Sequence, residues 1–288
     1  MSLSVQIGLL MAVATAFFAV VGFLYKHKGA VGSPPVEWSH PVRTSLALFR
    51  NRWYVLGIVI AIGSWGFHVA ALALAPISLV QSVIAGGLVL LTVVADRMFA
   101  HNVTRREWIG VGLAALGLAF LAASIDGSGG GAHSDYEPAT LAIFLTTVTA
   151  LAIGVGIVGW RTVHAGVALG ASAGLFWALS DTAIKAQTGV FGESLVTVFV
   201  SPLVLLIIVA SFVGLTVSAK SLQIGKAVPV IAMTTVAANA LTIASGPIVF
   251  GDPVPDNTLG QVARIAAFVL VLGAAALTPA PVRAAEAT

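Results

Sequence analysis

The sequence predicts an all-α polytopic membrane protein with about nine transmembrane helices in two inverted repeat halves, four helices and then five. Of its 288 residues, 58% are hydrophobic and only 9% are charged, and the mean hydropathy is +1.03. A soluble domain carries about a quarter charged residues. Apolar runs of about 20 residues also recur along the chain, and this length crosses a hydrocarbon core of about 30 Å.

Each apolar run between charged or Pro- and Gly-rich breaks is predicted to form one helix, because a helix satisfies its own backbone hydrogen bonds in lipid. The predicted spans are 5–25, 53–75, 77–95, 108–124, 140–160, 163–186, 195–219, 227–250 and 259–278. The first run has no basic segment before it and no small-residue cleavage site after it. We therefore expect it to remain in the mature protein.

The basic residues indicate an orientation. All of the 14 Lys and Arg residues except Lys185 and Arg264 fall on one side of the predicted topology. Cytoplasmic loops carry the excess of Lys and Arg. We therefore expect a protein of the inner (plasma) membrane with its N-terminus outside and its C-terminus in the cytoplasm.

The chain is predicted to divide into a first transmembrane half, 1–125, an external Gly-rich linker, 126–138, and a second half, 139–288. Residues 74–81 align weakly with 222–229, and charge places the first turn outside and the second inside, as an inverted repeat requires. Within the Pro-rich segment between the first two spans, the apolar stretch 46–49 either lies on the inner membrane surface or belongs to a cytoplasmic loop.

Four stretches carry a resemblance to a known family. They read ALALAP at 71–76 followed by LVQ at 79–81, HNVTRREWIG at 101–110, FWALSDTAIK at 176–185 and SLQIGKAVPV at 221–230. In order and placement they resemble the drug/metabolite transporter (DMT) superfamily, specifically its EamA-type permeases. Typical members have ten helices, so the resemblance implies that the second helix of the first half is missing. The nine-helix count and the basic residues that follow Tyr25 are similar to the NIPA-type magnesium transporters of the same superfamily.

Ionisable side chains inside spans cost a few kcal/mol and usually face the protein interior, so each is a functional candidate. Trp177, Asp181 and Lys185 follow Gly170 and Gly174 at spacings of three or four residues and share one helix face. Asp181 and Lys185 are four residues apart and are able to pair. The pair either binds a proton or a charged solute, or it only joins neighbouring helices.

A second group of candidates lies on the second, third and eighth predicted spans. His68, one turn after Trp65, either lines a cavity and takes part in proton coupling or donates a structural hydrogen bond. Gln81, Thr235 and Asn239 lie on polar faces, and such side chains either line a cavity or join helices.

The leading hypothesis is a secondary transporter of a small polar or amphiphilic metabolite that works by alternating access, with Asp181 or His68 as a protonatable group. The alternatives are a NIPA-like magnesium or divalent cation transporter, which needs converging oxygen ligands, and a non-transporting membrane scaffold. No nucleotide-binding loop or catalytic motif indicates an enzyme. We expect no cofactor, no metal site and no nucleic-acid partner; the expected partners are the substrate and the lipid bilayer, and a homodimer is left open.

Overall fold

The computed structural model describes residues 2–37, 39–85, 134–189, 200–225, 227–252 and 257–277, together with residues 105, 109, 113, 116 and 117. In this part of the chain the regular elements are helices. They are α1 (Leu3–Val31), α2 (Pro41–Ala47), α3 (Arg52–Leu74), α4 (Ile77–Ala85), α5 (Pro138–Trp160), α6 (Ala165–Thr188), α7 (Pro202–Ile224), α8 (Ala227–Val249) and α9 (Thr258–Leu277), with a 3₁₀ turn at Leu48–Arg50.

Five of these helices, α1, α3, α5, α6 and α7, are long and apolar enough to cross a membrane. The prediction of an all-α polytopic membrane protein is therefore confirmed. Most of the predicted span 108–124, the second half of the span 77–95, the first five residues of the span 195–219 and most of the linker 126–138 lie outside the described residues.

Two helix ends differ from the predicted spans. Helix α1 continues past Tyr25 to Val31, because its face remains packed on α3 up to Gly29 and Ala30. Helix α7 begins at Pro202, seven residues later than predicted, and the Ser201 hydroxyl accepts a hydrogen bond from the backbone of its first turn. A serine N-cap followed by proline is a strong start signal for this helix.

The α3–α4 and α7–α8 junctions are built alike. Helices α3 and α7 each contain 23 residues. Each ends in an extended residue, Ala75 or Gly225, whose N–H donates to the carbonyl four residues earlier, at 3.0 Å and 2.8 Å respectively. These positions are 150 residues apart. The sequence alignment of 74–81 with 222–229 has an offset of 148, two residues less than the offset between these junctions.

Helices α1 and α6 also occupy matching positions, α1 against α3–α4 and α6 against α7–α8. Equivalent contacts are made by Gly8 with Ala75 and Gly166 with Gly225, and by Thr15 with Ser64 and Ala173 with Gly214. Helix α5 packs outside this pattern, on α6. The expectation that the first half lacks its second helix involves predicted spans that lie largely outside the described residues.

Two apolar clusters close the ends of the helical assembly. One joins α1, α3, the Pro-rich segment, α7 and α8 through residues such as Leu24, Val36 and Leu222. The other joins α1, α3, α4 and α6 through residues such as Ala12 and Leu72. Between the two clusters the helices separate and leave a central space, which contains most of the candidate residues.

Candidate functional site

A cavity of about 620 Å³ lies between helices α1, α3, α4, α6, α7 and α8. Its walls are mostly aliphatic and aromatic, and polar side chains stand near its two ends. Positions related by the offset of 150 residues both line it, including Ile58 with Ile208 and Trp65 with Leu215. A cavity of this size and composition fits a small organic molecule.

One end of the cavity is formed around the carboxylate of Asp181 on α6. Its Oδ1 lies 3.0 Å from Nε2 of His68 on α3, and its Oδ2 accepts a hydrogen bond from the amide of Gln81 on α4, at 3.2 Å. His68 and Gln81 are buried, whereas 17% of the Asp181 side chain is exposed. Three helices thus bring three polar side chains together at one point of the cavity.

Two buried polar atoms at the Asp181 end of the cavity have no hydrogen-bond partner in the described part of the chain: Nδ1 of His68 and the indole nitrogen of Trp177. The amide of Asn239 on α8 is buried, lines the cavity and forms no hydrogen bond with the described residues. Thr235 also lines the cavity, but its hydroxyl donates to the carbonyl of Ile231, at 2.9 Å. Buried polar groups normally have a partner, so these atoms are available to a bound molecule.

Lys185 lies outside the cavity. Its ammonium group donates to the carbonyl oxygens of Leu72, at 2.8 Å, and Ala75, at 3.1 Å, where α3 ends, and the side chain is completely buried. The pair with Asp181 that the four-residue spacing allowed is replaced by these contacts. A cation at the C-terminus of a helix satisfies free carbonyls and complements the helix dipole.

Asp252 provides the matching anion for the start of α4, and sequence reasoning did not identify it as a site residue. Its Oδ2 accepts a hydrogen bond from the backbone N–H of Ser78, at 2.9 Å, and the side chain is buried. Asp252 also interacts electrostatically with Lys185 and with Arg264. The α3–α4 turn is therefore held by a cation at one helix end and an anion at the next.

The other end of the cavity contains Lys26, which the sequence placed in the basic segment after the first span. Helix α1 continues through it, and only 5% of the residue is exposed. Its ammonium group lies 3.8 Å from the centre of the Phe23 ring. No helix-breaking residue lies between Tyr25 and Gly29, and this feature of the sequence could have predicted that α1 continues through Lys26.

The cavity reaches the surface of the molecule between α3 and α7. The exposed residues among its lining are Ile62 and Trp65 on α3 and Ile208 and Phe212 on α7, with exposures from 43% to 63%. The cavity is therefore open at the side of the helical assembly, between α3 and α7.

Comparison with curated proteins finds a distant similarity to the probable magnesium transporter NIPA9 of Arabidopsis thaliana. The two sequences are 22% identical over 270 residues, which cover 88% of this chain and 76% of the plant protein. No family model matches the chain. No solved structure is significantly similar to it.

The similarity and the membrane-spanning helices together support a membrane transporter. Within the described residues, no group of three or more His, Cys, Asp or Glu side chains is arranged to hold a metal ion. Hard divalent cations such as Mg²⁺ take several oxygen ligands, and the described lining of the cavity contains one carboxylate, that of Asp181.

Proposed function

We propose that the chain is a secondary carrier of the drug/metabolite transporter type that moves a small polar or amphiphilic metabolite across the plasma membrane. The observation that carries this proposal is the 620 Å³ cavity between six helices, with apolar walls and unpartnered polar groups at its Asp181 end. A non-transporting scaffold would instead be expected to have a solid core of small residues at this position.

The matching positions of α1, α3 and α4 and of α6, α7 and α8 support an alternating-access mechanism. In the orientation indicated by the basic residues, the two groups of helices run in opposite directions, so they form an inverted repeat around the cavity. Rocking of one group against the other then exposes the cavity first to one side of the membrane and then to the other.

Asp181 is the proposed proton-coupling residue, with His68 as its partner. When the carboxylate is charged it accepts from His68 and Gln81. Protonation weakens both bonds and loosens the contact of α6 with α3 and α4. Proton binding at this group would thereby couple the movement of a substrate to the movement of a proton across the membrane.

The test is flux in proteoliposomes under an imposed pH gradient, with a panel of metabolites as substrates. Asp181→Asn keeps the size of the side chain and one oxygen acceptor but removes its titration. We expect this variant to retain exchange and lose its dependence on the gradient, while Asp135→Asn, at an exposed position, behaves as wild type. Unchanged coupling in Asp181→Asn rejects the role of Asp181, and the absence of flux for every solute rejects the carrier.

A magnesium or other divalent cation path is the second candidate, because the similarity to NIPA9 favours it. In this case Asp181, Gln81 and Asn239 would supply oxygen ligands. Mg²⁺ flux measured in the same proteoliposomes separates the two candidates. Saturable Mg²⁺ uptake that is lost in Asp181→Asn would establish the cation path, whereas metabolite uptake without Mg²⁺ flux would reject it.

A further inference from the structure

Among the described residues, no anion pairs with the charge of Lys26 at its end of the cavity. Lys26 is 95% buried, and among the described residues its ammonium group contacts only the ring of Phe23. A cation–π contact offsets a part of the cost of removing a charge from water. An isolated buried cation is otherwise unfavourable by several kcal/mol, unless an anion pairs with it.

The ammonium group does not reach back toward the end of the helix, as a snorkelling lysine would. Phe23 precedes Lys26 by three residues, so its ring lies about 4.5 Å further along α1 toward the centre of the span. Because the ammonium group lies over this ring and lines the cavity, it is directed into the cavity.

The two polar ends of the cavity are well separated. The backbone of Lys26 lies beside Gly57 on α3, and His68 follows Gly57 by 11 residues on the same helix. At 1.5 Å per residue, the two levels are about 16 Å apart. The His68–Asp181 pair therefore does not neutralise Lys26 directly, and the space between them has mainly apolar walls.

We propose that the substrate of this carrier is an organic anion, and that Lys26 binds its carboxylate or phosphate group while its apolar body occupies the centre of the cavity. The inference rests on the proposed function, since it names the substrate class for the same cavity. It also separates this chain from a cation carrier, because a buried ammonium group repels a cation in the cavity. The anionic group of the bound substrate then balances the positive charge of Lys26.

The test uses three probes that share a phenyl ring and a three-carbon chain and differ in charge: 3-phenylpropionate, 3-phenylpropanamide and 3-phenylpropylammonium. Thermal unfolding of the full chain in neutral detergent reports binding, because a ligand of the folded state raises the Tm. We expect the anion to give the largest increase in wild type. In Lys26→Met the anion should bind about tenfold more weakly and no better than the amide.

Lys28→Met is the matched control. Lys28 lies two residues away, is exposed and contacts the ring of Trp53, so this variant should retain the preference for the anion. Without a probe, Lys26→Met should unfold at or above the Tm of wild type, because an unpaired buried charge is removed. If Lys26→Met does not fold, Lys26→Gln provides the same comparison. Equal shifts for all three probes, preference for the amine, or an anion shift that survives in the Lys26 variant overturns the inference.

Counterflow of labelled 3-phenylpropionate in proteoliposomes separates this inference from the proposed function. Lys26-dependent binding without counterflow supports the anion site and rejects the carrier. Flux of the amide or the amine that is unaffected in Lys26→Met supports the carrier and rejects the anion site.

Discussion

The ammonium group of Lys185, near the end of α6, lies 2.8 Å from the carbonyl oxygen of Leu72 in the last turn of α3. The same group donates to Ala75, at 3.1 Å. A residue of the second half thus completes the hydrogen bonding of a helix in the first half. Together with the His68–Asp181 contact one turn away, it fixes the position of α6 against the α3–α4 turn.

Lys185→Met should lower the free energy of unfolding by about 1.5–3 kcal/mol, because two buried carbonyl oxygens lose a charged donor. The measurement is thermal or denaturant unfolding of the purified protein. Lys28→Met, which removes an exposed lysine, should leave the stability nearly unchanged. Equal stability of Lys185→Met and wild type would contradict the capping role.

Asp252→Ala should destabilise the protein by about 1 kcal/mol, because the N–H of Ser78 at the start of α4 loses its acceptor. Asp252→Asn retains an oxygen acceptor and should therefore lose less stability than Asp252→Ala. The comparison of the two variants by thermal unfolding separates the hydrogen bond from the charge. If Asn destabilises as much as Ala, the charge of Asp252 rather than its hydrogen bond holds the junction.

Gly174→Ala should lower stability by about 1–3 kcal/mol, because the added methyl group would overlap the carbonyl oxygen of Thr234 on α8. Neither backbone is able to move without separating α6 from α8. The matched control is Gly63→Ala, since a methyl group on Gly63 of α3 meets no atom within 4 Å. That change should leave the Tm unchanged or raise it. Equal effects at the two glycines would refute the close packing of α6 on α8.

Glu137 should make stability depend on acid pH. Hydrogen bonds from the Thr140 hydroxyl and from the backbone N–H groups of Thr140 and Ala139 hold the pKa of the Glu137 carboxyl below its ordinary value. A pKa that is lower in the folded state adds stability above the unfolded-state pKa, and this stability is lost as the pH falls through the folded-state pKa.

The expected result is a Tm difference between wild type and Glu137→Gln that is constant near neutral pH, begins to shrink below the ordinary glutamate pKa of about 4.3 and disappears below the lower folded-state pKa. Scans of Tm against pH measure it, with Asp135→Asn as the control for an exposed carboxylate of the same segment. A difference that widens toward acid pH would show that Glu137 does not cap α5 as a carboxylate.

Much of the fold follows from local features of the sequence. The apolar runs predict α3, α5 and α8 to within a few residues, because lipid requires each span to satisfy its backbone internally. The predicted spans are wrong at helix ends where a capping signal or tertiary packing competes with hydrophobicity. Ser201 and Pro202 start α7 late, and tertiary packing on α3 carries α1 beyond Tyr25.

The candidate site was predicted only as separate faces of separate helices. Spacing places Trp177 and Asp181 on one face, and it selects His68 and Gln81 as polar residues within spans. It does not indicate which of them meet, since His68 and Asp181 are 113 residues apart. For the same reason, the four-residue spacing predicted that Lys185 pairs with Asp181, whereas the ammonium group of Lys185 contacts the end of α3.

The sequence alone therefore determined that the protein is helical and crosses the membrane, because hydrophobicity and backbone satisfaction act within each segment. The tertiary structure alone decided which polar groups share the cavity, which cap a helix end and that Lys26 is buried with no anion beside it in the part of the chain that the structure describes. These outcomes depend on how helices distant in sequence pack, and small residues such as Gly174 and Gly166 set that packing by close backbone approach.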